Sequence, residues 1–329
     1  MPPTPGGQRQ QRGPYVSSNR LVWTRTSIWL GFLALLALGL GLLPAYGFSL
    51  AFWFYLLLWI TLASGLNIMA GFTGYLPFGY VAFYGIGAYA AAVTVKMHGL
   101  PIWAGFIAAA LAGVVLSLLF ARTMVLRGIY FSIVSLALAV ICRLLIAAMP
   151  EDVAGGSYGI ALGFSNPDGA YYAMLALMLA TLLTVTWLAQ SRLGMALRAI
   201  RDDPDTAETV GINIGRVRLK AWVLSAVIAS MTGAIEAWYT SIVDTETAFN
   251  LLVSTKAVIF AVAGGLGTVI GPVVGTVVML IVDDLIWQHF PVLNVFLLGL
   301  VIVLLMMFLP SGIVGSLIRA KPFLRRILF

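Results

Sequence analysis

SRLGMALRAIRDDPDTAETVGINIGRVRLK, residues 191–220, is the one long polar stretch in an otherwise apolar chain. It holds six of the 19 basic residues and four of the 12 acids, while 28–190 and 221–310 are mostly hydrocarbon. Hydrophobic residues make up 61% of the chain and charged residues 9%. Globular domains use about a quarter charged residues, so this composition excludes a soluble domain and predicts an all-α, polytopic membrane protein. The polar stretch is then a structured connection between two blocks of membrane helices.

Working outward, apolar runs predict spans near 28–46, 50–69, 78–97, 102–121, 128–148, 170–189, 219–240, 251–264, 269–287 and 293–310. About ten spans put both ends on one side, with a Pro/Gly/Gln/Arg-rich tail (1–27) expected to be disordered and a basic tail at 311–329. A cleaved signal peptide fits less well, because a second apolar run starts at Leu50. On that common side fall 16 of the 19 cations, which makes it cytoplasmic by the positive-inside rule and accounts for the net charge of +7 without nucleic acid. The bilayer is the expected partner.

Inside the polar stretch, Leu193, Ala196, Leu197 and Ile200 recur at the spacing of one helix face. Asp203-Pro204-Asp205 reads as a second helix start, with an N-cap, a proline and an acid in the first turn, and Gly211 as its end. Such a corner can lie on lipid, fill space under the bundle, or dock on a partner. Asp202, Asp203, Asp205 and Glu208 weaken the lipid reading, since anionic headgroups repel them.

Glycines cluster at 65–87, 155–159 and 263–275. Broken segments in the first and last thirds of a membrane chain point to a translocation path, with Gly71, Gly74, Gly79, Gly264, Gly265 and Gly267 as flexing or close-packing positions. Tight packing alone is the competing account. Five ionisable residues fall in or near the hydrocarbon: Arg143, Glu236, Lys256, Asp283 and Asp284. They either pair, Arg143 with Glu236 and Lys256 with Asp283 or Asp284, or line the entrance of a zwitterionic solute.

Catalytic signatures are missing. There is no GxxxxGK[ST] phosphate loop, and GGLGTVIG lacks the βαβ setting of a dinucleotide site. His98, His289 and the lone Cys142 offer no metal-binding cluster. The expectation is a transport protein, not an enzyme, with no metal or cofactor of its own. Two other classes stay open, an ion-coupled secondary transporter and a membrane-embedded scaffold.

The motifs GLNIMAGFTGYLPFGYVAFYGIGAYAAA (65–92), LRGIYFSIVSLALAVI (126–141), GGSYGI (155–160), SRLGMALRAIRDDPDTAETVGIN (191–213) and AGGLGTVIGPVVG (263–275) occur in that order. Together they resemble the LivM-type permease subunits of ABC importers for branched-chain amino acids and related amides. The resemblance implies a type II ABC importer-like permease in a bacterial inner membrane. It implies a second, LivH-like permease subunit, two ATPase subunits that bind ATP and Mg, and an extracytoplasmic solute-binding protein. It also implies that 191–211 rests on an ATPase subunit, through Ser191, Arg192, Gly194, Ala196, Leu197, Arg198, Arg201, Asp202, Ala207 and Gly211. The family's early segment commonly reads Gly-Gln-Leu-Ser-Leu-Gly-His, whereas this chain has Gly74-Tyr75-Leu76-Pro77-Phe78-Gly79-Tyr80. If Tyr75, Phe78 and Tyr80 touch solute, urea or a short amide becomes an alternative to a branched-chain amino acid.

Overall fold

A computed structural model describes residues 39–41, 49–126, 128–163, 165–309 and 312–320. The chain divides into two units, 1–42 and 43–329. Of the first, only Gly39, Leu40 and Gly41 are described, and they are helical. The predicted 28–46 span and the 1–27 tail therefore lie almost wholly outside the described residues.

The second unit is a helical bundle: α1 (Leu50–Thr73), α2 (Val81–Lys96), α3 (Ile102–Leu119), α4 (Ile129–Ala147), α5 (Pro167–Gln190), α6 (Arg192–Asp202), α7 (Pro204–Thr209), α8 (Ile214–Thr240), α9 (Leu251–Gly264), α10 (Gly271–His289), α11 (Asn294–Phe308) and α12 (Gly312–Ala320). A single turn, Thr245–Ala248, runs almost directly into α9, and Thr245–Gly264 counts as one membrane-length segment. With α1, α3, α4, α5, α8 and α10 it makes seven helices, among the described residues, long and apolar enough to cross a bilayer. Helix α2 has 16 residues and α11 has 15, so both are shorter than the usual span of about 20. The first nine residues that can be placed beyond the last predicted span are not a bare tail. They form α12, which packs on α9 and α10 with Val314 buried.

Helices α1 and α8 form the centre. Hydropathy cannot explain this, because α3 and α4 are more apolar yet far more exposed. Close approach explains it. Gly87 on α2 sits against the Ser230 backbone of α8, and Gly233 on α8 sits against the Tyr84 carbonyl of α2, so a Cβ at either position would overlap main chain. Two small residues facing each other let backbones touch where membrane helices gain nothing from hydrophobicity alone. Aromatic side chains fill the next layer. Phe83 and Phe131 both meet the buried Trp222 edge-on, with ring centroids 4.8 and 5.5 Å away. A two-residue antiparallel ladder, β1 (Ile160–Ala161) with β2 (Ile242–Val243), ties the α4–α5 connection to the end of α8.

Candidate functional site

The polar stretch folds as its periodicity predicts. Ser191 caps α6 by accepting from the Gly194 N–H at 3.1 Å. Asp203 caps α7, its carboxylate accepting from the Asp205 and Thr206 N–H groups at 3.0 and 3.2 Å. Val210 closes α7, and Gly211 just beyond it has φ 87°. The apolar face of α6, with Gly194, Leu197 and Ile200 buried, packs under α1, α5 and α8.

This placement divides the residues expected to meet an ATPase subunit. Leu197 and Ala207 are buried inside the chain, and Gly194 lies against the Leu188 carbonyl, so these three hold the corner together and do not face outward. Ala196 is half-buried. Arg198 turns back to donate to the Ala189 carbonyl at 2.9 Å. Arg192, Asp202 and Gly211 are exposed, as is Met195, which the sequence reading passed over. Arg201 reaches upward: its Nη1 donates to the Gly71 carbonyl at 2.6 Å, in the last turn of α1.

Gly71 is also where the two glycine-rich breaks meet. Asn67, one turn earlier on α1 and fully buried, donates from Nδ2 to the Thr268 carbonyl at 2.9 Å and accepts the Gly267 N–H on Oδ1 at 2.8 Å. Gly267 (φ 80°) lies in the α9–α10 turn between Gly71 and the Arg201 guanidinium, and a side chain there would collide with both. Asn67, Arg201, Gly71 and Gly267 thus form a latch between the corner, the end of α1 and the α9–α10 turn. Sequence reasoning missed Asn67. Its signal was present, since a lone amide in a 24-residue apolar helix must find partners.

The 74–80 segment re-enters the bundle after Gly74 ends α1 in the left-handed region. Its irregular backbone needs partners that lipid cannot supply. Serines of neighbouring helices provide them. Ser132 donates to the Leu76 carbonyl at 2.7 Å, Ser135 accepts the Gly79 N–H at 3.2 Å, and Ser254 accepts the Val81 N–H at 2.7 Å. Gly79 is pressed against the Ser135 carbonyl. Tyr80 is buried and donates to the Ser225 carbonyl at 3.0 Å, while the Tyr75 ring lies 4.1 Å under the buried Arg218 guanidinium. Phe78 keeps 38% of its surface exposed, and Gly264 and Gly265 stand where α9 turns into α10. The residues expected along a path therefore gather in two places, at the latch and around the re-entrant turn.

One of the two predicted pairings forms and the other is replaced. Arg143 does not meet Glu236. It lies one turn from the end of α4, where that helix packs beside the Thr245–Ala248 turn, and its Nη2 is 3.3 Å from Glu246 Oε1. Lys256 does pair with Asp283, Nζ to Oδ2 at 2.6 Å, near Trp59. Asp284 accepts from Gln288 at 2.7 Å. Trp59, Lys256, Asp283 and Asp284 line a cavity of about 790 Å3 bounded by α1, α9, α10 and α11. A second cavity of about 360 Å3 lies beside Glu236.

Membrane-length helices, two glycine-rich breaks joined by a latch and a folded polar corner define a multi-pass membrane permease. The chain belongs to the family of branched-chain amino acid transport system permease components, whose model matches residues 46–307. It is 29% identical over 294 residues to the high-affinity branched-chain amino acid permease protein LivM of Salmonella typhimurium LT2, covering 78% of this chain and 68% of the relative. The LivM of Escherichia coli K12 matches to the same extent. A probable LivH of Methanocaldococcus jannaschii is 25% identical over 249 residues, 70% of this chain and 77% of the relative. This chain is thus a permease subunit of an ABC importer, and its relatives are transport permeases, not enzymes.

Proposed function

We propose that the chain forms half of a path that carries a branched-chain or closely related amino acid inward across the bacterial inner membrane. A LivH-like permease supplies the other half. An extracytoplasmic solute-binding protein delivers the solute, and two ATPase subunits bind ATP and Mg and drive the cycle. On this reading about ten spans lie within 28–310, and both ends and the corner are cytoplasmic. Tails of 1–27 and 311–329 flank that permease domain.

The observation that carries the coupling role is the latch. An ATPase subunit gripping the exposed side of the corner, at Arg192, Met195, Asp202 and the α7 turn, would move α6. Arg201 would pass that motion to Gly71 and Gly267, and so to both breaks at once. The tyrosines at 75 and 80 are engaged by Arg218 and Ser225, so packing accounts for them and they give no reason to prefer an amide substrate.

The test is leucine uptake by the reconstituted complex carrying Arg192→Glu or Asp202→Lys. Both residues are exposed, so the fold should tolerate the change. Loss of about 1.4 kcal/mol of docking lowers ATP-dependent uptake about tenfold. Wild-type uptake in both variants would remove the coupling role. Uptake driven by an ion gradient without ATPase subunits would favour a secondary transporter.

A further inference from the structure

We infer that the cavity beside Glu236 binds the ammonium group of the transported solute. This rests on the amino-acid reading above. The cavity, about 360 Å3, lies at the end of α8 remote from the α6–α7 corner, and Tyr55, Tyr84, Thr240, Asp244 and Thr247 line it with Glu236. That size suits a small solute.

What singles the site out is the state of its polar groups. Three other acids in or beside the apolar segments are engaged: Asp283 by Lys256, Asp284 by Gln288, Glu246 by Arg143. The Glu236 carboxylate has no ion pair and accepts no hydrogen bond among the described residues, and no cation lines its cavity. Both threonine hydroxyls of the lining have their proton engaged. Thr240 donates its own to the Glu236 and Ile242 carbonyls at 2.9 and 3.0 Å, and Thr247 donates to Asp244 at 2.6 Å. Asp244 already accepts from the Glu246 and Thr247 N–H groups.

The lining therefore offers a carboxylate and lone pairs, with Tyr55 and Tyr84 supplying the remaining hydroxyls. An isolated carboxylate within an apolar helix is costly unless a cation meets it. An ammonium group, with three donors and no acceptor, complements that lining. A carboxylate or a neutral amide does not match it as well. Ala88, Ala248 and Val253 form an apolar wall for an aliphatic side chain. Lys256 is held by Asp283 in the neighbouring cavity, and Tyr55 is the wall the two cavities share. The ammonium end of a zwitterion is thus recognised here, apart from Lys256.

The experiment labels the wild-type complex in vesicles with a hydrophobic carbodiimide and reads modification at Glu236 by mass spectrometry. Leucine should slow labelling, and 4-methyl-2-oxopentanoate, the same skeleton without its ammonium group, should not. Equal protection by both compounds, or none by leucine, overturns the proposal. So does equal protection by sodium or potassium chloride, which would make this an inorganic cation site. In uptake assays Glu236→Gln should raise the KM for leucine about tenfold, as expected for a lost charge-assisted hydrogen bond, with Glu236→Asp recovering part of it. An unchanged KM in the Gln variant also overturns it. Failure of ATP-driven uptake by the wild type would instead count against the importer reading, and the labelling result would stand on its own.

Discussion

The two ends of the bundle are built differently. At the corner end, α6, the last turn of α1 and the α9–α10 turn are joined by short hydrogen bonds to backbone groups, with glycines removing any intervening space. At the opposite end, α1, α8, α9 and α10 separate around two cavities, and the polar groups there are side chains facing room. One end can transmit displacement and the other can hold a solute. Displacing α6 means displacing both breaks, since each of the three parts is tied to the others through Arg201, Asn67 and Gly267.

Asn67→Leu attacks the closed end most severely. It is close in size but leaves the half-buried Gly267 N–H and the buried Thr268 carbonyl without their Asn67 partner. We expect a loss of about 3 kcal/mol, read as a lower melting temperature of the purified complex. If the melting temperature holds, the latch is an incidental contact and the contrast between the ends disappears.

The open end is tested by Lys256→Met. It removes the cation facing Asp283, whose side chain is only 14% exposed, and should cost about 2 kcal/mol, less than a fully buried pair because Lys256 keeps 26% exposure. The double variant with Asp283→Asn should recover most of that loss. Failure to recover would mean that Lys256 serves something other than Asp283.

Arg201→Met sharpens the comparison by separating stability from transmission. Arg201 is largely exposed, so removing its bond to the Gly71 carbonyl should cost only about 1 kcal/mol. ATP-dependent uptake should fall further than that, because α6 would then move without taking α1 along. Uptake that follows stability alone would leave Arg201 as a packing residue.

The legible part of this molecule was whatever repeats along the chain. Apolar runs gave the positions of the bundle helices from α1 to α11 to within a few residues, and spacing with the Ser191 and Asp203 caps gave the corner. What did not repeat was hidden. Periodicity assigns Arg198 and Arg201 to a face, but a long side chain can turn back, and both do. Ser132, Ser135 and Ser254 look unremarkable in apolar runs until the re-entrant turn arrives to need them. Among the intramembrane charges the sequence offers Arg143 only Glu236 as a pairing partner, whereas the Thr245–Ala248 turn, invisible as a gap between spans, supplies Glu246 instead.

The smallest effect concerns a motif used at both ends. Asp203 and Asp244 each accept two N–H bonds two and three residues on, and a threonine hydroxyl three residues on. At Asp203 the Thr206 hydroxyl, then the Thr206 and Asp205 N–H groups, hold the carboxyl below its ordinary value. At Asp244 burial works against ionisation, yet the bonds from Thr247 and Glu246 outweigh it and the carboxyl is again lowered. A carboxyl lowered on folding stabilises fully above its unfolded value, and that contribution is lost as pH falls through the folded one. Amide exchange in α7 should therefore stay slow from neutral pH down to the ordinary carboxylate range, then accelerate more than intrinsic exchange chemistry dictates. Asp203→Ala should abolish that acid-dependent step and speed α7 exchange at neutral pH, leaving the latch intact because Arg201 and Asn67 lie outside the capped turn. If α1 amides around Gly71 also became labile in this variant, α7 would belong to the latch, and the closed end would extend to the outermost turn of the corner.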